Sequence, residues 1–250
     1  MDDVQRPKAN RQRNCLIVTP TYNERENLQL FLQGVFAAAP DVRVMIVDDA
    51  SPDGTGELAD QIAREDKRVS VLHRPKKLGL GTAYIEAFQR GLLDGFDYFI
   101  EMDTDLSHDP GYLPDFFRAF ESGADVVAGS RNIPGGSVEG WGPARHLLSR
   151  GGSIYSRWIL GVDVADLTTG YKGFTRSALE RIDLFQVRSN GYSFQIEMTF
   201  RALQAGLRVL EVPIVFVDRR AGQSKMNRRI FAEAIGVVWK LRYAAARGQL

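Results

Sequence analysis

Hydrophobic and polar positions alternate in two rhythms along the first half of the chain. Short apolar runs, Cys15–Thr19, Val42–Val47, Val69–His73, Phe96–Met102 and Ala124–Ala128, have the length and composition of buried strands. Between them lie stretches with helical spacing: one opening near Asn23, then Thr55–Arg64, Thr82–Leu93 and Pro110–Glu121. Asn23 with Glu26 three residues on has the form of a capping box, and Asp109–Pro110 that of an N-cap with proline at the first helical position. Strand and helix in alternation predict an α/β chain, a mostly parallel sheet with helices on both faces.

Beyond Gly129 the rhythm changes. Pro134–Gly142 reads as a loop, Ser193–Ala205 as a helix carrying Gln195 and Glu197, and Val209–Val217 as a strand. Two further stretches are amphipathic. At about 100° per residue, Leu147, Leu148, Ile154, Tyr155, Trp158 and Ile159 of Ala144–Leu160 fall within an arc of roughly 140°, with His146, Arg150 and Arg157 opposite. In the second, Ile230, Phe231, Ile235, Val238 and Leu241 share one face, Arg229 and Lys240 the other, and Trp239 and Tyr243 flank it. Such helices either pack on a core or lie in a membrane surface, and arginine-lined faces with flanking aromatics favour the surface. The expected organisation is a flexible tail (1–14), an α/β domain (15–227) with a candidate interfacial helix at 144–161, and a C-terminal amphipathic helix (228–250).

Composition narrows the class. With 250 residues, 44% hydrophobic and 25% charged, one domain can bury a large core. A net charge of +1 creates no global field for nucleic acid. A single cysteine, Cys15, excludes an internal disulfide and a cysteine-based zinc site, and His73, His108 and His146 are scattered. Met1–Asn14 lacks the apolar stretch of a secretory signal, and no run approaches the ~18 residues that span a bilayer. The expectation is a protein that does not cross a membrane by itself.

Asp103 and Asp105 stand where the run Phe96–Met102 meets a polar turn. In open α/β sheets that strand end is where ligands bind. Carboxylates two residues apart repel each other and any phosphate unless a cation lies between them, and hard oxygen ligands in a partial shell suit Mg²⁺ or Mn²⁺. Two more acidic loops, Thr19–Glu24 and Val47–Thr55, leave strands at the same edge. There Asp49 is suited to a ribose hydroxyl or a base N–H, whereas Asp48 and Asp53 read as turn formers. Gly79–Leu80–Gly81 superficially suggests a dinucleotide fingerprint but lacks the third small residue in register and follows the third strand.

The blocks TPTYNERENL, VDDASPDGTG, LGLGTAY, MDTDLSHDP, GSR, DLTTGYKGF and VDRRAGQSK together resemble the family-2 glycosyltransferases of GT-A (Rossmann-like) fold, and within them the polyprenyl (dolichyl) phosphate mannose synthases. The likeness runs from about Leu16 to Lys225. It implies that Pro20, Tyr22, Glu24, Val47 and Asp49 contact the nucleoside of GDP-mannose. It implies that Asp103, Thr104 and Asp105 hold the metal and diphosphate, and that Arg131, Arg219 and Lys225 face the diphosphate and the acceptor phosphate. Where many relatives carry glutamine as an extra metal ligand this chain has Ser107, the candidate for that role.

Sugar transfer passes through an oxocarbenium-like centre as the nucleotide diphosphate leaves, so charge on that group must be neutralised. A hydroxyl acceptor needs a general base; a phosphate monoester, with a second pKa of about 6, does not. Asp166 is the best carboxylate available, to orient the site or to act as base for a hydroxyl acceptor. The expected activity is inverting, metal-dependent transfer from GDP-mannose to polyprenyl phosphate, at the cytoplasmic face of a membrane, with or without a separate anchoring protein. The alternatives are a UDP-glucose-using enzyme of the same fold and an inactive nucleotide-sugar-binding subunit.

Overall fold

The first apolar runs become strands because helices cover the faces of the sheet they form; Val69–His73, at the sheet edge, keeps Ser70 and His73 exposed. A computed structural model describes residues 14–218 and 228–250. β1 (Cys15–Thr21), β2 (Arg43–Asp48), β3 (Val69–His73) and β4 (Tyr98–Glu101) are parallel, with β1 between β2 and β4. Their connections are α1 (Arg25–Ala38), α2 (Thr55–Glu65) and α3 (Leu80–Leu93). A 3-10 turn, Pro110–Tyr112, and α4 (Leu113–Glu121) lead to β5 (Val126–Ser130). There follow β6 (Ser137–Glu139), α5 (Pro143–Leu160), β7 (Lys172–Thr175), α6 (Arg176–Ile182), α7 (Gly191–Gln204), β8 (Val209–Pro213), β9 (Val215–Val217) and α8 (Arg228–Ala246). The main sheet runs β3-β2-β1-β4-β7-β5-β8, and β6 pairs with β9 in a small second sheet.

Side chains on β1 alternate between two cores, as the pleat requires. Cys15 and Ile17 meet Leu28, Phe31 and Val35 of α1 and Phe116 of α4, while Leu16 and Val18 meet Tyr84 and Phe88 of α3 and Phe194 of α7. A Cβ on Gly91 would come within 2.6 Å of the Phe99 ring and 2.7 Å of Leu16, so only glycine lets α3 lie this close to the sheet. A third cluster joins Ile159 and Leu160 of α5, Ile196 and Phe200 of α7, and Val238 and Leu241 of α8.

Four expectations need correction. Asn23 does not cap α1: it turns left-handed at φ 62°, and the helix starts at Arg25 with no side-chain cap. Its N–H donates instead to Ser51 Oγ (3.1 Å), and that of Glu24 to Thr55 Oγ1 (3.0 Å), so the first loop is tied to the second. Val209–Val217 is two strands, because the chain leaves the main sheet after Pro213 to pair with β6, itself inside the expected loop. β7 was not expected as a strand, and it runs antiparallel to both β4 and β5. Finally, the apolar arc of α5 divides. Ile159 is buried, whereas Leu147, Ile154 and Trp158, in helical register at i, i+7 and i+11, are 77%, 58% and 80% exposed. On α8, Val238 and Leu241 pack inward while Trp239 and Tyr243 face out; Arg229, Ile230, Phe231 and Ile235 have no described side chains. No described helix is long and apolar enough to cross a membrane.

Candidate functional site

The loops leaving β1, β2 and β4 converge on a cleft of about 460 Å³ at the carboxyl edge of the sheet. Three of the four described non-glycine residues with positive φ lie on these loops: Asn23, Ala50 (55°) and Leu106 (63°). Left-handed backbone is costly for alanine and leucine, and it persists where surrounding structure over-determines it, characteristically at sites.

At one end Pro20, Tyr22, Glu24 and Asp49 line the cleft, as does Lys77, whose ammonium stands 3.8 Å from the Tyr22 ring centre. Asp49 forms an ion pair at 2.9 Å with the buried Arg74, which also donates to Thr82 Oγ1. Burial raises the Asp49 carboxyl above its ordinary value, against the pull of Arg74. Val47, by contrast, is a core residue of the α3 face rather than part of the cleft lining.

Asp103, Thr104 and Asp105 form the middle of the cleft. Thr104 Oγ1 meets Thr19 Oγ1 at 2.6 Å, pinning this loop to β1. Asp105 Oδ1 accepts from the N–H (3.1 Å) and hydroxyl (2.6 Å) of Ser107. Ser107 is buried behind Asp105, outside the cleft lining, and so braces the carboxylate rather than facing a ligand. The Asp103 N–H donates to His108 Nδ1 (3.1 Å), which puts the proton of a neutral ring on Nε2. Stacking on Tyr171 and an edge contact with Phe216 hold that ring in the cleft wall. Among the described residues no group of three or more His, Cys, Asp or Glu is placed to hold a metal ion. The Asp103/Asp105 pair offers hard oxygens in a partial shell, the donor set that suits Mg²⁺ or Mn²⁺ when a diphosphate completes it.

The far end is cationic and aromatic, lined by Arg131, Trp141, Arg145, Thr168 and Phe216. Arg131 is clamped. Its backbone N–H and Nε donate to Asp166 Oδ2 (3.1 and 2.7 Å), and its Nη2 to Asp166 Oδ1 (2.8 Å) and Thr168 Oγ1 (2.9 Å). Burial alone would raise Asp166, but the charge and hydrogen bonds of Arg131 outweigh it and hold the carboxyl below its ordinary value. Asp166 is thereby unsuited to take a proton at neutral pH. Arg145 pairs with Asp218 at 2.8 Å, its guanidinium 4.1 Å from the Trp141 ring centre. Arg219 and Lys225 lie outside the described residues.

A buried polar chain runs behind the cleft lining and reaches the cleft at Gln195. Lys172 Nζ donates to Leu167 O (3.3 Å), Gln195 O (2.8 Å) and Gln195 Oε1 (3.0 Å), and Gln195 Nε2 donates to Glu101 Oε2 (2.7 Å). Burial pushes Lys172 down to about 8 and Glu101 up to about 8. Gln195 thus supports the site, whereas Glu197 bonds Arg201 and the N–H groups of Arg188 and Ser189, holding α7 to the turn before it.

Lys77, His108, Trp141, Arg145 and Phe216 were not singled out from the sequence. Arg145 sits on the polar side of an amphipathic stretch and looks solvated there. Only the approach of Asp218 and Trp141 brings it into the cleft wall.

Residues 16–183 match the family model described as Glycosyl transferase family 2. The chain is 48% identical over 230 residues to the polyprenol monophosphomannose synthase of Mycolicibacterium smegmatis, spanning 91% of this chain and 87% of that one. It is 48% identical over 220 residues to the undecaprenyl-phosphate mannosyltransferase of Micrococcus luteus, spanning 88% and 90%. Solved structures of similar fold include glucosyl-3-phosphoglycerate synthase from Mycobacterium tuberculosis, crystallised with Mn²⁺, UDP-glucose and phosphoglyceric acid. Its TM-score is 0.66 at 19% identity, over 92% of this chain and 80% of that one. A mannosyltransferase from Pyrobaculum calidifontis, with GDP-Man and Mn²⁺, gives a TM-score of 0.57 at 15% identity, over 94% and 74%. Matched across most of its length by curated relatives and by the family model, the chain belongs to glycosyltransferase family 2, in the group that contains the polyprenyl-phosphate mannosyltransferases.

Proposed function

We propose that this chain moves mannose from GDP-mannose to a polyprenyl phosphate, giving polyprenyl phosphate β-mannose and GDP. The observation that carries the reading is the division of one cleft into a carboxylate centre, Asp103 and Asp105, and a cationic end whose Arg131 is locked by Asp166. A phosphate oxygen of the acceptor attacks the anomeric carbon, the bond from that carbon to the GDP oxygen breaks, and its electron pair leaves with the diphosphate. Attack opposite the leaving group turns an α-linked donor into a β-linked product. The phosphate is already ionised and needs cations, not a base, which matches a clamped Asp166. Arg131 and Arg145 supply those cations, and the planar fork of arginine suits a phosphate. Asp103 and Asp105 would hold Mg²⁺ or Mn²⁺, which when bound neutralises charge developing on the departing diphosphate. Pro20, Tyr22, Glu24, Asp49 and Lys77 receive the nucleoside; a phosphate-binding role for Arg219 and Lys225, which lie outside the described residues, rests on the family resemblance alone.

The lipid tail of such an acceptor stays in the bilayer, so the cleft must reach the interface. Arg145 lines the cleft on α5, and the exposed stripe Leu147, Ile154 and Trp158 begins two residues later on the same helix. This juxtaposition supports peripheral docking of α5 on a membrane surface, proposed to be the cytoplasmic face; Trp239 and Tyr243 of α8 are exposed as well.

The test is transfer from radiolabelled GDP-mannose or UDP-glucose to polyprenyl phosphate, free polyprenol or no acceptor. Label is expected in lipid only with GDP-mannose and the phosphate. Arg131→Ala should lower turnover about 100-fold or more while GDP affinity holds. Efficient transfer to the free alcohol would overturn the acceptor assignment, and transfer from UDP-glucose alone the donor assignment. Binding without any transfer would make the chain a nucleotide-sugar-binding subunit.

A further inference from the structure

Gly170 lies on the floor of the cleft, and nothing in the folded chain requires it to be glycine. Its φ is not in the left-handed range, so the backbone there accepts a side chain. A Cβ built on it would lie 3.4 Å from His108 Cε1, 3.8 Å from Asp103 Oδ2 and 3.9 Å from Gln195 Nε2, all ordinary contacts. The other glycines of the cleft differ: Gly79 and Gly191 have φ of +103° and +55°, where glycine is favoured. Away from the cleft lining, Gly91 and Gly173 would drive a Cβ to 2.6 and 2.7 Å from phenylalanine rings. The missing side chain at Gly170 therefore leaves room for something that is not protein.

What fills it follows from position. Asp103 Oδ2 is beside the space, and two residues back along the chain Thr168 holds Arg131. In a displacement reaction the group lying between the leaving diphosphate and the incoming nucleophile is the group being transferred. We infer that Gly170 is the floor of the hexose subsite, on which the transferred sugar packs against backbone, walled by His108 and Gln195. Its lack of a side chain sets how bulky a hexose the enzyme takes. This inference rests on the proposed assignment of donor and acceptor ends. His108 is suited to a wall because its ring is fixed on three sides, by the Asp103 N–H, Tyr171 and Phe216.

The experiment compares wild type with Gly170→Ala and Gly170→Ser, measuring thermal stability, GDP affinity and GDP-mannose affinity by calorimetry, and kcat/KM. Alanine is expected to leave the melting temperature and GDP affinity unchanged, since GDP lacks the hexose. It should lower GDP-mannose affinity and kcat/KM by about 10- to 200-fold, the range for one methyl group too many in a fitted pocket, with serine worse. A monodeoxy-mannose donor lacking the hydroxyl nearest the new methyl group should recover part of the loss in the alanine variant. Unchanged kcat/KM would overturn the inference, as would a fall in GDP affinity matching that for GDP-mannose. So would a clear fall in melting temperature, which would show that the fold itself needs glycine. If the wild type proves to use another sugar nucleotide, the donor assignment fails separately. The ratio of sugar-nucleotide to nucleotide affinity still reads the Gly170 contact with that donor.

Discussion

Replacing Asp166 with asparagine isolates the clamp on which the cationic end of the cleft depends. The carboxylate is fully buried and the Arg131 side chain 7% exposed, so solvent does little to screen either charge. Asp166 accepts from Arg131 N, Nε and Nη2 and from Thr168 N and Oγ1. Asparagine keeps one acceptor oxygen but turns an N–H₂ towards a guanidinium that can only donate. Breaking a buried pair in this way costs about 3–5 kcal/mol, because the surviving charge is left uncompensated. For a chain of this size that corresponds to a fall of about 6–20 °C in melting temperature. The sign with pH follows from the depressed carboxyl: its stabilisation is present above the unfolded value of 3.8 and is lost as pH falls through the lower folded value. Urea denaturation of wild type and Asp166→Asn at pH 7 should show the full gap, and the gap should narrow as pH falls to and below 3.8. A difference under about 1 kcal/mol, or a gap that ignores pH, would refute the clamp.

Three further outcomes are expected. Asp105→Ala should abolish transfer, and chelation by EDTA should stop the wild type until Mg²⁺ or Mn²⁺ is returned; full activity after exhaustive chelation would sink the metal assignment. Lys172→Met removes an ammonium whose folded value, about 8, lies below the unfolded 10.5. Burying that charge costs stability in full below about pH 8, and the cost disappears as pH rises to 10.5, so the wild type gains stability across this interval. The variant should therefore lack the wild type's rise in stability between these pH values, and an unchanged profile by chemical denaturation would count against the buried chain. Substituting serine for Leu147, Ile154 and Trp158 should release the protein from anionic liposomes in sedimentation assays while GDP-mannose binding persists. Wild-type retention would point to a separate membrane protein as the anchor.

The fold class was legible from the order of the residues alone. β1, β2, β4 and β5 are short, apolar and largely buried, so local composition and tertiary role coincide; β3, at the sheet edge, keeps Ser70 and His73 exposed and is carried by Val69, Val71 and Leu72. The periodicity of α2, α3 and α4 is set by the same two cores. The strand-end location of Asp103 and Asp105 was legible for the same reason, since it depends only on chain order in a parallel sheet. Where side chains meet across long separations, sequence carried no signal. β7 holds a lysine and a glycine and does not read as a strand. Lys172 is buried there because Gln195 of α7, 23 positions on, brings two acceptors to its ammonium beside the nearby Leu167 carbonyl. Asn23 had the pattern of a cap, but contact with Ser51 turned it left-handed, a tertiary demand overriding a local preference. The apolar face of α5 was visible as a stripe, yet which of its residues face the core was settled by α7 and α8, which cover Ile159 and leave Trp158 outside. Arg131 and Asp166 stand 35 positions apart, and only the folded sheet, which brings the end of β5 against the loop before β7, makes them one bidentate pair.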